Sequence, residues 1–161
     1  MNIPVYSFVA FSNTGKTTLL EKLIPELKHR GLRVAVVKHD AHEFDIDHEG
    51  KDSWRMTRAG ADVTALSSAT KAVIMENRFI PIDEVIERIS DVDVILTEGY
   101  KHGPWPKIAL QRGGNGKPLP LPSEECLAIL SDVPVTTTRP ILGLDEIEKL
   151  ADIILADMKA K

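Results

Sequence analysis

Gly15-Lys16-Thr17-Thr18 closes the stretch Ala10-Phe11-Ser12-Asn13-Thr14-Gly15-Lys16-Thr17-Thr18. A glycine, a lysine and a hydroxyl in direct succession suit phosphate chemistry. The backbone N–H groups of a tight loop converge on phosphate oxygens, and the helix behind it adds unpaired N–H groups and partial positive charge. On this reading Ser12, Asn13, Thr14, Gly15, Lys16, Thr17 and Thr18 surround a nucleotide's phosphates. Lys16 reaches the terminal phosphates, and the Thr17 hydroxyl holds Mg²⁺. Ala10 stands where the usual pattern has glycine, and it fits there if its φ is negative. Asn13 is suited to a left-handed turn. The plain alternative is a chance Gly-Lys-Thr opening an ordinary helix.

A second group of candidates is acidic. Glu98 ends an apolar run at 92–97 and precedes Gly99-Tyr100-Lys101. A carboxylate there would order the Mg²⁺ shell or an attacking water, and Lys101 lies close to it in sequence. Otherwise Glu98 merely starts a turn. The segment 38–50 holds His39, His42, His48 and five acidic residues. Asp45 or Asp47 would contact Mg²⁺ directly or through water. We take Asp47, with Thr17 and Glu98, as the metal set. The three histidines offer a transition-metal site instead, or the segment is a solvated loop.

The elements that must carry these residues follow from spacing. Val5-Tyr6-Ser7-Phe8-Val9 has strand composition, and Leu19, Leu20, Leu23, Ile24 and Leu27 form a helical stripe. The helix should run over about 16–30 and end at Gly31, with Pro25 kinking or splitting it. The run 33–38 reads as a parallel strand buried on both faces, completing a β-α-β unit. A short helix at 52–59, capped by Asp52 or Ser53, precedes a hairpin with strands at 63–67 and 71–75. A third helix follows near 82–89. Strands are expected at 92–97, 107–111 and 126–130, with a Gly/Pro-rich loop at 112–122 and an amphipathic terminal helix from Asp145.

Composition sets the frame. The 161 residues, 43% hydrophobic and 27% charged, suit one globular domain over 1–161. The net charge of −4 argues against nucleic acid as the partner. A lone cysteine, Cys126, excludes an intramolecular disulfide and a multi-cysteine metal site within one chain. It also points to a reducing compartment. No run reaches transmembrane length and no signal-peptide pattern opens the chain, so a cytoplasmic protein without a membrane partner is expected.

Taken in order, the loop 10–18, the block His39-Asp40 through Gly50-Lys51-Asp52-Ser53, Arg55, Ala59-Gly60-Ala61, Glu98-Gly99-Tyr100-Lys101 and Pro106-Lys107-Ile108 resemble the molybdopterin-guanine dinucleotide biosynthesis adaptor protein B (MobB) family. The likeness covers 1–112 by motif and the whole chain by length. It implies a GTP-binding, weakly hydrolytic protein that works as a homodimer and takes Mg²⁺. It implies as partners the molybdenum cofactor guanylyltransferase and cofactor-insertion proteins. The fold expected is a three-layer α/β/α P-loop domain, its sheet mostly parallel with an antiparallel extension.

Lys16 and Glu98 are the catalytic candidates. No arginine finger or glutamine is in place, so hydrolysis should be slow without a partner. No Asn-Lys-x-Asp or Thr-Lys-x-Asp element reads guanine, since Thr70-Lys71-Ala72-Val73 fails at its last position. The GTP assignment therefore rests on the resemblance. Two rivals remain: a small-molecule kinase using Asp45, Asp47 or Glu98 as base, and a nickel-handling GTPase using the histidines.

Overall fold

The structure is a computed structural model that describes residues 3–39 and 44–160. In chain order its elements are β1 (Val5–Val9), α1 (Lys16–His29), β2 (Val34–Lys38), α2 (Asp52–Arg58), β3 (Val63–Ser67), β4 (Ala72–Glu76), α3 (Ile82–Glu87), β5 (Val94–Glu98), β6 (Lys107–Gln111), β7 (Cys126–Ser131), β8 (Ile141–Leu142) and α4 (Ile147–Lys159). Contacts group them into two units, Met1–His39 with Ser90–Lys161, and Asp40–Ile89.

The first unit is built on a six-stranded sheet of order β2-β5-β1-β6-β7-β8. Every neighbouring pair is parallel. β1 is buried along its whole length. Tyr6 and Phe8 point to one face, where Leu19, Leu20, Leu23 and Leu27 of α1 and Leu150, Ala151 and Ile154 of α4 complete the main core. Val9 points to the other face, with Ala109, Leu121, Cys126 and Ile129, and Leu119 and Val135 pack against them. Ser7 and Thr97 are buried on neighbouring strands and satisfy each other, their hydroxyls 2.9 Å apart. Cys126 is a free, buried thiol, and burial pushes it up to about 11. It is inert at neutral pH.

The run at 33–38 does not become a strand buried on both faces. β2 is the edge strand, and Val36 is 45% exposed. A valine-rich run has the same composition at an edge as at a centre, so sequence could not separate them. The β1-α1-β2 crossover also skips one position, which β5 fills. Pro25 lies inside α1, yet α1 is a single helix. A proline costs a helix interior about 3 kcal/mol. Four buried leucines on α1 each return roughly 1.5–3 kcal/mol, so packing outweighs the lost hydrogen bond. The helix ends at His29, with Arg30 its C-cap and Gly31 following at φ 85°.

In the second unit β3 and β4 pair antiparallel as a separate two-stranded sheet, with Thr64 opposite Met75. Ser68 makes the turn: its Oγ accepts from the N–H groups of Thr70 and Lys71 and donates to the Lys71 carbonyl. The second strand is shifted one residue from its expected span. α2 begins at Asp52, but Lys51 is its N-cap and no side chain caps it, so the expected Asp52 or Ser53 cap is not formed. Asp52 instead sits in the first turn, where its charge favours the helix N-terminus. Thr57 of α2 and Thr64 of β3 join through their hydroxyls at 2.8 Å. Arg78 bridges Glu76 and Glu84 at 2.8 and 3.0 Å, and Arg88 engages the same two carboxylates.

Candidate functional site

The carboxyl ends of β1, β5 and β2 lie side by side, with Phe8 beside Glu98 and Glu98 beside Lys38. Residues 10–15 leave β1 there and turn into α1. Two positive φ values make that turn, 61° at Asn13 and 104° at Gly15. Asn13 adopts the left-handed conformation its side chain tolerates, and Gly15 is needed where a Cβ would be strained. Ser12 and Asn13 are exposed, and Thr14 is buried. The loop therefore presents its outer residues to solvent and anchors itself through Thr14.

Lys16 folds back over the loop. Its Nζ donates to the carbonyl of Ala10 at 2.9 Å and to that of Phe11 at 3.3 Å. Partial burial lowers its ammonium below the ordinary lysine range, Glu98 opposes the shift and Lys38 adds to it. Thr17 Oγ1 donates to Glu98 Oε1 at 3.0 Å. This contact joins the start of α1 to the end of β5, 81 positions apart in sequence. A hydroxyl and a carboxylate held together beside a lysine make an oxygen donor set suited to a hard divalent cation.

Glu98 is fixed from behind. The Gly99 N–H donates to the Phe8 carbonyl at 2.9 Å, and the His39 N–H donates to the Glu98 carbonyl at 3.0 Å. Gly99 has φ 105°, and a Cβ there would come within 3.1 Å of His39 Cβ. Tyr100 lies against His39 with ring centroids 4.8 Å apart and the rings tilted by 44°. Lys101, expected to reach Glu98, makes neither a hydrogen bond nor an ion pair with it. The cation that bears on Lys16 is instead Lys38.

The remaining candidates divide. Thr18 is exposed one residue past Thr17. Asp45 and Asp47 belong to the second unit. The Asp47 N–H donates to Asp45 Oδ1 at 3.1 Å, the His48 N–H donates to Asp47 Oδ1 at 2.8 Å, and Asp47 Oδ2 is buried without a partner. A cation would satisfy that oxygen. His42 lies outside the described residues, while His39 belongs to the first unit and His48 to the second. Among the described residues no three His, Cys, Asp or Glu side chains gather to hold a metal.

Sequence reasoning missed the loop after β6. Asn115 Nδ2 donates to Thr14 Oγ1 at 3.0 Å, and Lys117 lies 5.6 Å from the Phe11 ring centroid. Arg112 lies against Gly15. The glycine and proline density of 112–122 signals a loop but not its target. A groove of about 790 Å³ runs along α1 and the start of α4, lined by Lys22, Glu26, His29 and Asp145 among others. Its volume is that of a ligand pocket, but the loop residues 10–17 do not line it, and the donor chemistry lies with them.

The family described as molybdopterin guanine dinucleotide synthesis protein B (MobB) matches residues 5–132. The chain belongs to that family. The molybdopterin-guanine dinucleotide biosynthesis adapter protein of Haemophilus influenzae is 41% identical over 156 residues, covering 94% of this chain and 88% of that protein. Its Escherichia coli counterpart is 38% identical over 165 residues, covering 98% and 94%. The crystal structure of Bacillus subtilis MobB superposes with a TM-score of 0.79 at 28% identity, over 99% of this chain and 100% of that one. A second crystal structure, of molybdopterin-guanine biosynthesis protein B, gives a TM-score of 0.73 at 30% identity, covering 96% of this chain and 99% of that one. The parallel sheet with its additional antiparallel pair is thus a MobB fold of the P-loop α/β kind. No helix among the described residues is long and apolar enough to cross a membrane.

Proposed function

We propose that this chain is a GTP-binding adaptor in molybdopterin guanine dinucleotide biosynthesis, with weak GTPase activity, assisting the enzyme that transfers GMP. The carrying observation is the 3.0 Å contact of Thr17 with Glu98 beside Lys16, in a chain of the MobB family. The adapter role is in the names of the H. influenzae and E. coli relatives. In mechanism, Lys16 exchanges the Ala10 and Phe11 carbonyls for phosphate oxygens. Thr17 and Glu98 would hold Mg²⁺, which would supply charge neutralisation at the phosphates. Glu98 also orients water. Nothing in this set supplies a strong general base or a cation at the γ-phosphate beyond Lys16, so hydrolysis is slow.

Calorimetric titration with GTP and ATP, each with and without Mg²⁺, tests this. GTP should bind with Mg²⁺ and ATP at least about tenfold more weakly, a gap of roughly 1.4 kcal/mol. Turnover should fall far below the roughly 10 s⁻¹ of ordinary enzymes. Equal affinities would remove the guanine preference, and binding of neither nucleotide would remove the phosphate-loop reading.

The same reading includes a homodimer. The two-stranded sheet β3–β4 carries Val63 and Ile74 on one face, 52% and 71% exposed. An apolar sheet face with open edges is ordinarily covered or paired. Light scattering at micromolar concentration should give twice the 17.8 kDa chain mass, and a monomer there would overturn the dimer.

A further inference from the structure

We propose that Arg112 binds the nucleoside-proximal phosphate of a guanine nucleotide, approaching the phosphate loop from the β6 side. The proposal rests on the nucleotide reading above. A Cβ built on Gly15 would lie 3.6 Å from Cζ and Nη2 of Arg112 and 3.8 Å from Nε. Three nearly equal distances mean that the guanidinium lies flat against this glycine. Gly15 immediately precedes α1, whose first N–H groups are the ones expected to receive phosphate.

The position of Arg112 is built. Its neighbour Gly113 donates its N–H to Asp132 Oδ1 at 2.8 Å. A Cβ on Gly113 would come within 2.4 Å of Val133 Cγ1, so glycine lets the backbone lie close to the exit of β7. Three residues on, the Asn115 amide holds Thr14. The loop is therefore fastened just after Arg112, once to the exit of β7 and once to the phosphate loop. The guanidinium itself makes no hydrogen bond or ion pair among the described residues. Asp145 is close enough to feel its charge but is hydrogen-bonded to Lys22 at 2.7 Å. Five N–H donors in a fixed fork, held at an anion loop with no acceptor of their own, match a phosphate group.

Sheet order decides which phosphate. Glu98 ends β5 on one flank of β1, and Arg112 follows β6 on the other. With Thr17 and Glu98 marking the metal side and the terminal phosphates, the opposite flank meets the end that carries the nucleoside.

The test is calorimetric titration of the full chain with GTP and with GDP, both with Mg²⁺. Arg112→Ala should weaken both nucleotides by a similar factor, on the order of 10- to 100-fold. Arg112→Lys should recover only part, because the charge returns without the fork. Arg112→Gln, which keeps the length without the charge, replaces the alanine variant if circular dichroism shows the latter to be misfolded. Unchanged affinity for both nucleotides would overturn the proposal. Weakening confined to GTP would also overturn it, since that places the arginine at the terminal phosphate. If wild type binds neither nucleotide, or Lys16→Ala binds like wild type, it is the phosphate-loop reading that fails.

Discussion

Replacing Lys16 by alanine is expected to weaken GTP binding by at least about 100-fold, toward the limit of calorimetric detection. The ammonium folds over the loop, bonded to the carbonyls of Ala10 and Phe11. A charge-assisted hydrogen bond to phosphate contributes roughly 1.5–3 kcal/mol, and Lys16 can make more than one to a triphosphate. The fold should survive, because Lys16 is not a member of the core that α1 builds with Leu19, Leu20, Leu23 and Leu27. Circular dichroism and urea unfolding check that point. The pH dependence has a definite sign. Only the protonated lysine attracts phosphate, and its protonation constant is lowered by burial, with Lys38 adding to the shift and Glu98 opposing it. GTP affinity should therefore fall as pH rises, beginning below the range where an ordinary lysine loses its proton. Unchanged affinity in a natively folded Lys16→Ala variant would detach the nucleotide from this loop.

Much of this site was legible because its signals are local. Asn13 and Gly15 announce left-handed turns by residue type, and the leucine spacing of α1 announces its buried face. β6 has the span 107–111 that its apolar run indicates. What stayed hidden depends on neighbours far away in sequence. The edge position of β2 exists only because β5 enters between it and β1. β8 is two residues long and has no periodicity to read. Asn115 meets Thr14 across 101 positions because β1 and β6 are adjacent. A loop rich in glycine carries no pattern that names such a target. The missing side-chain cap of α2 shows the converse: Asp52 and Ser53 have the right types, but the chain enters the helix one residue earlier, at Lys51.

Purified chain supplied with GTP, Mg²⁺ and molybdopterin should form no guanine dinucleotide by itself. Joining GMP to a pterin phosphate requires the pterin's phosphate oxygen to attack the α-phosphate and expel pyrophosphate. That chemistry needs an acceptor pocket aligned behind the α-phosphate. In the site proposed above, Lys16, Thr17 and Glu98 would serve the β/γ end, which suits γ-phosphate hydrolysis or a change of binding state. An arginine on the nucleoside side anchors the nucleotide but presents no acceptor. The net charge of −4 and the five carboxylates between 40 and 49 do not attract an anionic pterin phosphate either. Adding the guanylyltransferase should give dinucleotide, in greater yield with this chain than without it. Lys16→Ala should lose that stimulation if GTP held in the phosphate loop is what the partner senses. Chromatographic detection of the dinucleotide separates the outcomes. Product from this chain alone would make it a transferase and end the adaptor reading. Full stimulation by Lys16→Ala would leave the adaptor reading standing but would place the contact with the partner away from the nucleotide, on a surface that works without the phosphate loop.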